Sequence, residues 1–186
     1  RRRGLTLVEL LISVAILAVL LGSAVALTKH GSKGYEQSLA ESALLGRAGR
    51  TLERVVDVLV GAGKAKLDPP DAGAPLGCHA LDFQSSQGWV AGDVLWSPIQ
   101  RLAWELEPTE IDNGIDDDGD GRIDEGLIVL VEDPDGVGER KRVISRGIPR
   151  FLAGELRNGL DDNGNGLLDE HGFCFETQGA VLIVRV

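Results

Sequence analysis

From Leu5 to Leu27 the chain runs for 23 residues with one charge, Glu9, directly behind Arg1, Arg2 and Arg3. As a helix rising about 1.5 Å per residue, this run reaches ~34 Å, enough to cross a hydrocarbon core of roughly 30 Å. A membrane-spanning helix is therefore predicted over 5–27. The three arginines belong on the cytoplasmic side by the positive-inside rule, and everything after Leu27 on the other. A charge inside a spanning helix costs about 2.5 to 3.5 kcal/mol at its centre, so Glu9 calls for a partner. Two plainer readings compete. A secretory signal peptide would use Arg1 to Arg3 as its basic region and Ala24-Val25-Ala26 as its cleavage site, but this apolar run exceeds the usual length of roughly 7 to 15 residues and carries Glu9 near its start. A simple membrane anchor leaves Gly4 and Glu9 without a role.

The stretch Arg3-Gly4-Leu5-Thr6-Leu7-Val8-Glu9-Leu10 resembles the prepilin cleavage and methylation motif of type IV pilins and type II secretion pseudopilins. The resemblance implies that a membrane prepilin peptidase cuts between Gly4 and Leu5 and methylates the new N-terminus, leaving 1–4 as the remnant of a leader. Leu5 stands where that family usually has Phe or Met. Glu9 becomes the fifth mature residue, the assembly glutamate that neutralises the free amine of a neighbouring subunit. The implied partners are other pilin or pseudopilin subunits, met through the N-terminal helix, the prepilin peptidase, and the bacterial inner membrane before assembly. The implied location is single-pass, with the C-terminal domain periplasmic and later part of a periplasmic pseudopilus or surface pilus. With no methionine anywhere, the sequence is expected to lack its initiator and part of a leader.

A chain of 186 residues accommodates one membrane helix and one modest domain. Its net charge of −10, carried mostly beyond the basic N-terminus, argues against nucleic acid as a partner. Cys78 and Cys174, the only cysteines, fall on the non-cytoplasmic side, where disulfides persist, and a bridge between them is expected. It would close a loop of about 100 residues, for which chain entropy suggests about 4.7 kcal/mol. The alternative is a pair of unpaired, buried thiols. Three scattered histidines and two cysteines offer no zinc spacing. No nucleophile with a base and no catalytic metal set stands out, so an enzyme is not expected.

Beyond Leu27 the polar segment Thr28 to Gly34 carries Gly31 and Gly34, each costing about 1 kcal/mol in a helix relative to alanine, and a bend or fraying is expected there. A 3.6-residue period returns through Tyr35, Leu39, Ala43, Ala48, Leu52, Val55, Val56 and Leu59, predicting an amphipathic continuation over 28–63 that Gly61 and Gly63 end. Residues 64–186 read as a β-rich globular domain. An irregular stretch with Pro69, Pro70 and Pro75 leads to short strands near Phe83 and Trp89. Alternating Leu102, Trp104 and Leu106 mark a half-buried strand. Further strands are predicted at 127–132, 140–145, 151–156, 172–177 and 180–186, with Pro134-Asp135-Gly136 as turn chemistry. The fold class is α+β, a long helix whose second half covers an antiparallel sheet. This is also the architecture of the pilin family, and the patterning over 47–60 and 99–186 is most similar to its J-type minor pseudopilins and W-type minor pilins.

Within the late strands, Asn113-Gly114-Ile115-Asp116-Asp117-Asp118-Gly119-Asp120-Gly121-Arg122-Ile123-Asp124-Glu125 recurs 45 residues later as Asn158 to Glu170. Each copy contains D-x-[DN]-x-[DN]-G, the start of an EF-hand-like calcium loop, in which glycine at position six permits the sharp turn. The candidate ligands are Asp116, Asp118, Asp120 and the Arg122 carbonyl, then Asp161, Asn163, Asn165 and the Leu167 carbonyl. Position twelve, a glutamate in a full EF-hand, is Leu127 or Gly172. Asp124 and Asp169 at position nine are instead placed to close the shell, with Glu125 and Glu170 replacing or adding to them, as in the shortened calcium loops of extracellular proteins that these resemble. Solvated Asp/Asn/Gly turns are the plain alternative. Against them, the crowded carboxylates of the first loop repel one another without a cation. Two calcium ions are expected in preference to magnesium, which demands a tighter octahedron. The sequence thus reads as a minor pilin or pseudopilin with a calcium-stabilised periplasmic domain. The alternative is a membrane-anchored, calcium-dependent binding or adhesion module.

Overall fold

The computed structural model describes residues 7–70 and 72–186, without the side chains of Glu9, Ala24, Ala26, Leu27, residues 30–34, Glu36, Gln37, Ala40 and Glu41. Gly4 and Leu5, where cleavage is expected, and the side chain of Glu9 lie outside the described residues. One helix, α1 (Leu7–Leu59), precedes eight strands: β1 (Ala80–Phe83), β2 (Ser86–Val90), β3 (Asp93–Trp96), β4 (Gln100–Leu106), β5 (Gly126–Glu132), β6 (Arg140–Ile148), β7 (Cys174–Gln178) and β8 (Val181–Arg185). The architecture is α+β, with an N-terminal helix and a C-terminal antiparallel sheet.

The helix runs through Gly31 and Gly34 without the expected break. Two glycines are a small penalty against the continuous ladder of backbone bonds on either side. The chain divides into two compact units, Arg1–Arg47 and Ala48–Val186. In the first, Leu10, Leu11, Ile12 and Leu20 are all exposed, and at 100° per residue they are spread around the axis. A helix apolar all round belongs inside a larger assembly or a membrane. Among the described residues no helix is long and apolar enough to cross a membrane. Leu5, Thr6 and several side chains of the predicted span 5–27 are outside that description.

In the second unit the last turns of α1 cover the sheet, but on a face offset from the predicted one. Thr51 and Val55 are buried, with Val58 and Leu59 packed at the edge of the core, whereas Leu52 and Val56 remain 41% and 46% exposed. Polar bonding sets this rotation. The Thr51 and Ser145 hydroxyls lie 2.8 Å apart, and Arg54 donates from Nη1 to the Ile144 carbonyl at 2.9 Å. Helix termination after Leu59 follows the glycines, the last turns closing through Val60 N–H to Val56 O and Ala62 N–H to Leu59 O.

The four-stranded sheet has the order β1-β4-β5-β6, and β2-β3 and β7-β8 form two-stranded ribbons. Strand β5 is apolar without alternation because both of its faces are covered. Ile128 and Leu130 face a core that includes Val55, Phe83, Leu102, Phe173 and Phe175, while Leu127, Val129 and Val131 gather on the other side with Ala103. The β2–β3 hairpin turns on Ala91 and Gly92, with φ of 55° and 95°, the sign pattern that lets two-residue turns match strand twist. The predicted strand at 151–156 does not form. Phe151 makes only an isolated bridge to His171, and the chain then turns, Glu155 N–H donating to Leu152 O at 2.9 Å.

Register explains the placement of the two acidic loops. Gly126 opens β5 opposite both Leu106, the end of β4, and Ile148, the end of β6. The loops after β4 and after β6 therefore leave the sheet at the same end. Gly126 is sterically required there, since an added Cβ would lie 2.4 Å from the Trp104 ring and 2.5 Å from the Glu105 carbonyl. Gly126→Ala should destabilise the protein by about 1 to 3 kcal/mol through overpacking, read as a lowered urea midpoint for the full-length chain in detergent.

Candidate metal centres

The two loops share one backbone. Gly114 and Gly159 have φ of 77° and 76°, Gly119 and Gly164 79° and 74°, and Gly121 and Gly166 91° and 91°. Asp124 and Asp169 match at 48° and 49°, a left-handed conformation that a short polar side chain tolerates. The repeat reaches further upstream than Asn113 and Asn158. Glu107 N–H donates to Glu125 O, and Leu152 N–H to Glu170 O, both at 3.1 Å. These four residues are also 45 apart in pairs, so the structural unit is 107–125 repeated as 152–170.

Inside each loop, side-chain oxygens at positions one, three and five accept backbone N–H groups. Asp116 takes those of Gly119 and Gly121 at 2.6 and 2.9 Å, Asp118 that of Asp120 at 3.0 Å, and Asp120 that of Arg122 at 3.0 Å. Asp161 likewise takes Gly164 and Gly166 at 2.6 and 2.8 Å, Asn163 takes Asn165 at 3.0 Å, and Asn165 takes Leu167 at 2.9 Å. This network converges the oxygens, and single carboxylate oxygens of Asp116, Asp118 and Asp120 lie within 4.8 Å of one another. Such a cluster suits a hard, oxygen-preferring divalent cation. Arg122, expected through its carbonyl, also pairs its guanidinium with Asp120 at 3.0 Å. The side chain of Leu167 is fully buried.

Position nine has a different task. Asp124 accepts the N–H groups of Asn113 and Gly114 at 3.0 and 2.9 Å, and Asp169 those of Asn158 and Gly159 at 2.8 and 2.9 Å. These carboxylates close the base of each loop, and the two N–H groups hold the Asp169 carboxyl below its usual range. Glu125 and Glu170 are 1% and 2% exposed, and Asp124 is buried as well at 7%. Burial, followed by repulsion from Asp120, Glu110 and Asp118, pushes the Glu125 carboxyl above its usual range.

Two further carboxylates were not legible as site residues. Glu110 and Glu155 are buried, and each gives Oε1 to the N–H at position three, of Asp118 at 3.2 Å and Asn163 at 2.9 Å. Extending the 45-residue offset three positions upstream of Asn113 and Asn158 would have found them. The second loop carries fewer charges. Its Asn163 and Asn165 amides both donate to Glu170 Oε1, as amides can and carboxylates cannot. Arg150, just before the second loop, pairs with Asp112 on the first at 2.9 Å.

The expected Cys78–Cys174 bridge is not formed, and both cysteines are free thiols. Cys78 pairs with Phe175 in an isolated bridge, one residue along from Cys174. Burial pushes the Cys78 thiol up to about 11 and the Cys174 thiol up to about 12, which makes both poor nucleophiles. They line a small cavity of about 250 Å³ together with His79 and His171.

An N-terminal helix, an antiparallel sheet and a pair of repeated acidic loops at one sheet end define an α+β protein with two candidate cation centres. Residues 1–25 match the family model described as the prokaryotic N-terminal methylation motif. No curated protein and no solved structure matches the chain.

His171 ties the second loop to the sheet, stacking on His79 at 4.5 Å and meeting Trp104 edge-on at 5.3 Å. Burial, then the charges of His79 and Arg150, lowers its pKa from 6.5 to about 4. In that window the unfolded chain binds a proton that the folded chain refuses. Stability should therefore fall as pH drops from 6.5 towards 4, by up to roughly 3 kcal/mol from this residue. Urea midpoints at pH 7 and pH 5 should show a smaller drop in His171→Gln than in the parent chain.

Proposed function

We propose that the chain is a minor pilin or pseudopilin, a non-enzymatic subunit of a type IV pilus or a type II secretion pseudopilus, with a periplasmic domain stabilised by calcium. The observation that carries this reading is the N-terminal methylation motif at residues 1–25. Its placement at the head of a 53-residue helix whose first turns expose Leu7, Val8, Leu10, Leu11 and Ile12 supports it. Such a motif implies processing by a prepilin peptidase and assembly with other pilin subunits. The order of helix, irregular segment and late strands favours the J-type or W-type minor subunits.

In this reading the segment 5–27 holds the subunit in the inner membrane until assembly, with Arg1 to Arg3 cytoplasmic and the sheet periplasmic. Cleavage after Gly4 frees an amine at Leu5, and Glu9 neutralises the corresponding amine of a neighbour. A buried pair of this kind sets the register between helices more than it adds stability. The acidic loops support the calcium assignment, because each is anchored at both ends to strands or their immediate extensions. An ion bound there would hold the sheet end together by mass action, contributing about 2.7 kcal/mol per site when calcium is 100-fold above its dissociation constant.

Mass spectrometry of protein from cells with an active prepilin peptidase should show a mature N-terminus at Leu5, methylated, and intact Arg1 to Arg3 would sink the reading. Glu9→Leu should leave the subunit in the inner membrane but reduce its recovery in sheared filaments to background, and normal incorporation would refute the assembly role. The full-length chain in detergent should melt at a lower temperature in EDTA than in millimolar calcium, as followed by circular dichroism.

A further inference from the structure

We propose that the cation of each loop is closed in by a pair of buried glutamates, Glu110 with Glu125 in the first loop and Glu155 with Glu170 in the second, and not by the position-nine aspartates. This deepens the calcium reading of the loops and rests on it.

Glu125 is 1% exposed, and neither of its carboxylate oxygens accepts a hydrogen bond among the described residues. Glu110 is 5% exposed, and its Oε2 is equally unpartnered while Oε1 is fixed by the Asp118 N–H. One oxygen each from Glu110, Asp118 and Glu125 lies within 4.8 Å of the others. Of these three converging carboxylates Asp118 is exposed, but Glu110 and Glu125 are buried, and two buried carboxylates side by side are costly unless something neutralises them. No basic side chain bonds to either glutamate among the described residues. A divalent cation taking six to eight oxygens supplies the missing charge and satisfies the spare lone pairs together.

The second loop repeats the buried glutamate pair at the same offset, with the Asn163 and Asn165 amides donating to Glu170 Oε1. Glu155 and Glu170 are 6% and 2% exposed, and Oε2 of each is unpartnered. Asp124 and Asp169 accept two backbone N–H groups each at the loop base, and among the described residues neither belongs to a group of carboxylates converging within 4.8 Å. Placement gives the glutamates their consequence. Glu125 adjoins Gly126, the first residue of the central strand, and Glu170 adjoins His171, which stacks on His79. Each cation would thus bind the loop to the sheet, not merely fold the loop on itself.

The test uses the full-length chain in detergent, radioactive calcium in equilibrium dialysis, and thermal melting in calcium and in EDTA. The parent chain should bind two ions. Glu110→Gln and Glu125→Gln should each weaken one site by ~10-fold or more, and Glu155→Gln and Glu170→Gln the other. In EDTA these variants should melt no lower than the parent, because each removes an unpaired buried charge. Asp124→Asn should do the reverse, melting lower in EDTA yet still taking up two ions. A parent chain that binds no calcium would overturn the calcium reading itself. A parent chain that binds two ions, with the glutamine variants binding as tightly, would leave the calcium reading standing and overturn this inference. Loss of an ion from Asp124→Asn with none lost from the glutamine variants would also overturn it.

Discussion

Strand β5 is buried on both faces and hydrogen-bonded on both edges, and the rest of the domain is arranged by that condition. A strand with no solvent face needs two layers of cover and two partner strands, or it leaves polar backbone unpaired. On one side the cover is the last turns of α1 with Phe173 and Phe175. The strand begins at Gly126, beneath the Trp104 ring, immediately after Glu125. The most apolar element in the domain is thus joined to its most acidic one without a linker.

That junction explains why the acidic segments are ordered loops rather than solvated tails. Each aspartate of the first D-x-[DN]-x-[DN]-G run accepts a backbone N–H that would otherwise be unpaired in a tight turn, and the turn so formed brings one oxygen of each to within 4.8 Å of the others. The local network fixes the shape, and the shape crowds the charge. Repulsion among carboxylates grows as solvent is excluded. The buried glutamates lie where solvent is most excluded, at the foot of the loops.

The sequence carried the helix, the late strands and the two loops plainly, because each is a local pattern: an uninterrupted apolar run, alternation at Leu102, Trp104 and Leu106, and a motif recurring at a fixed offset. It misled where a local signal is overruled by a distant partner. Leu52 and Val56 looked like the buried stripe, but the bonds of Thr51 and Arg54 to β6 rotate the helix away from them. Phe151 to Leu156 looked like a strand, but the segment is the entry to the second loop, turned by the Glu155 N–H bond to Leu152. Cys78 and Cys174 looked like a pair because they are the only two and fall on the expected non-cytoplasmic side, yet both are free thiols although they line one cavity.

The roles of the acidic side chains divide along the same line. Spacing alone determined that Asp116, Asp118 and Asp120 share a turn, since glycine at fixed positions and short polar side chains leave the backbone few other courses. Spacing could not decide between Asp124 and Glu125, neighbours in the chain with similar chemistry. The sheet sets their different surroundings. Glu125 adjoins a strand that must be buried and goes in with it, while Asp124, in the left-handed conformation, directs its carboxylate back to the loop base. Glu110 acquires its role only when the chain returns from β4 to β5 and brings it against Asp118 and Glu125. The 45-residue repeat marks Glu110 and Glu155 as equivalent positions, but what they meet depends on the pairing of two strands.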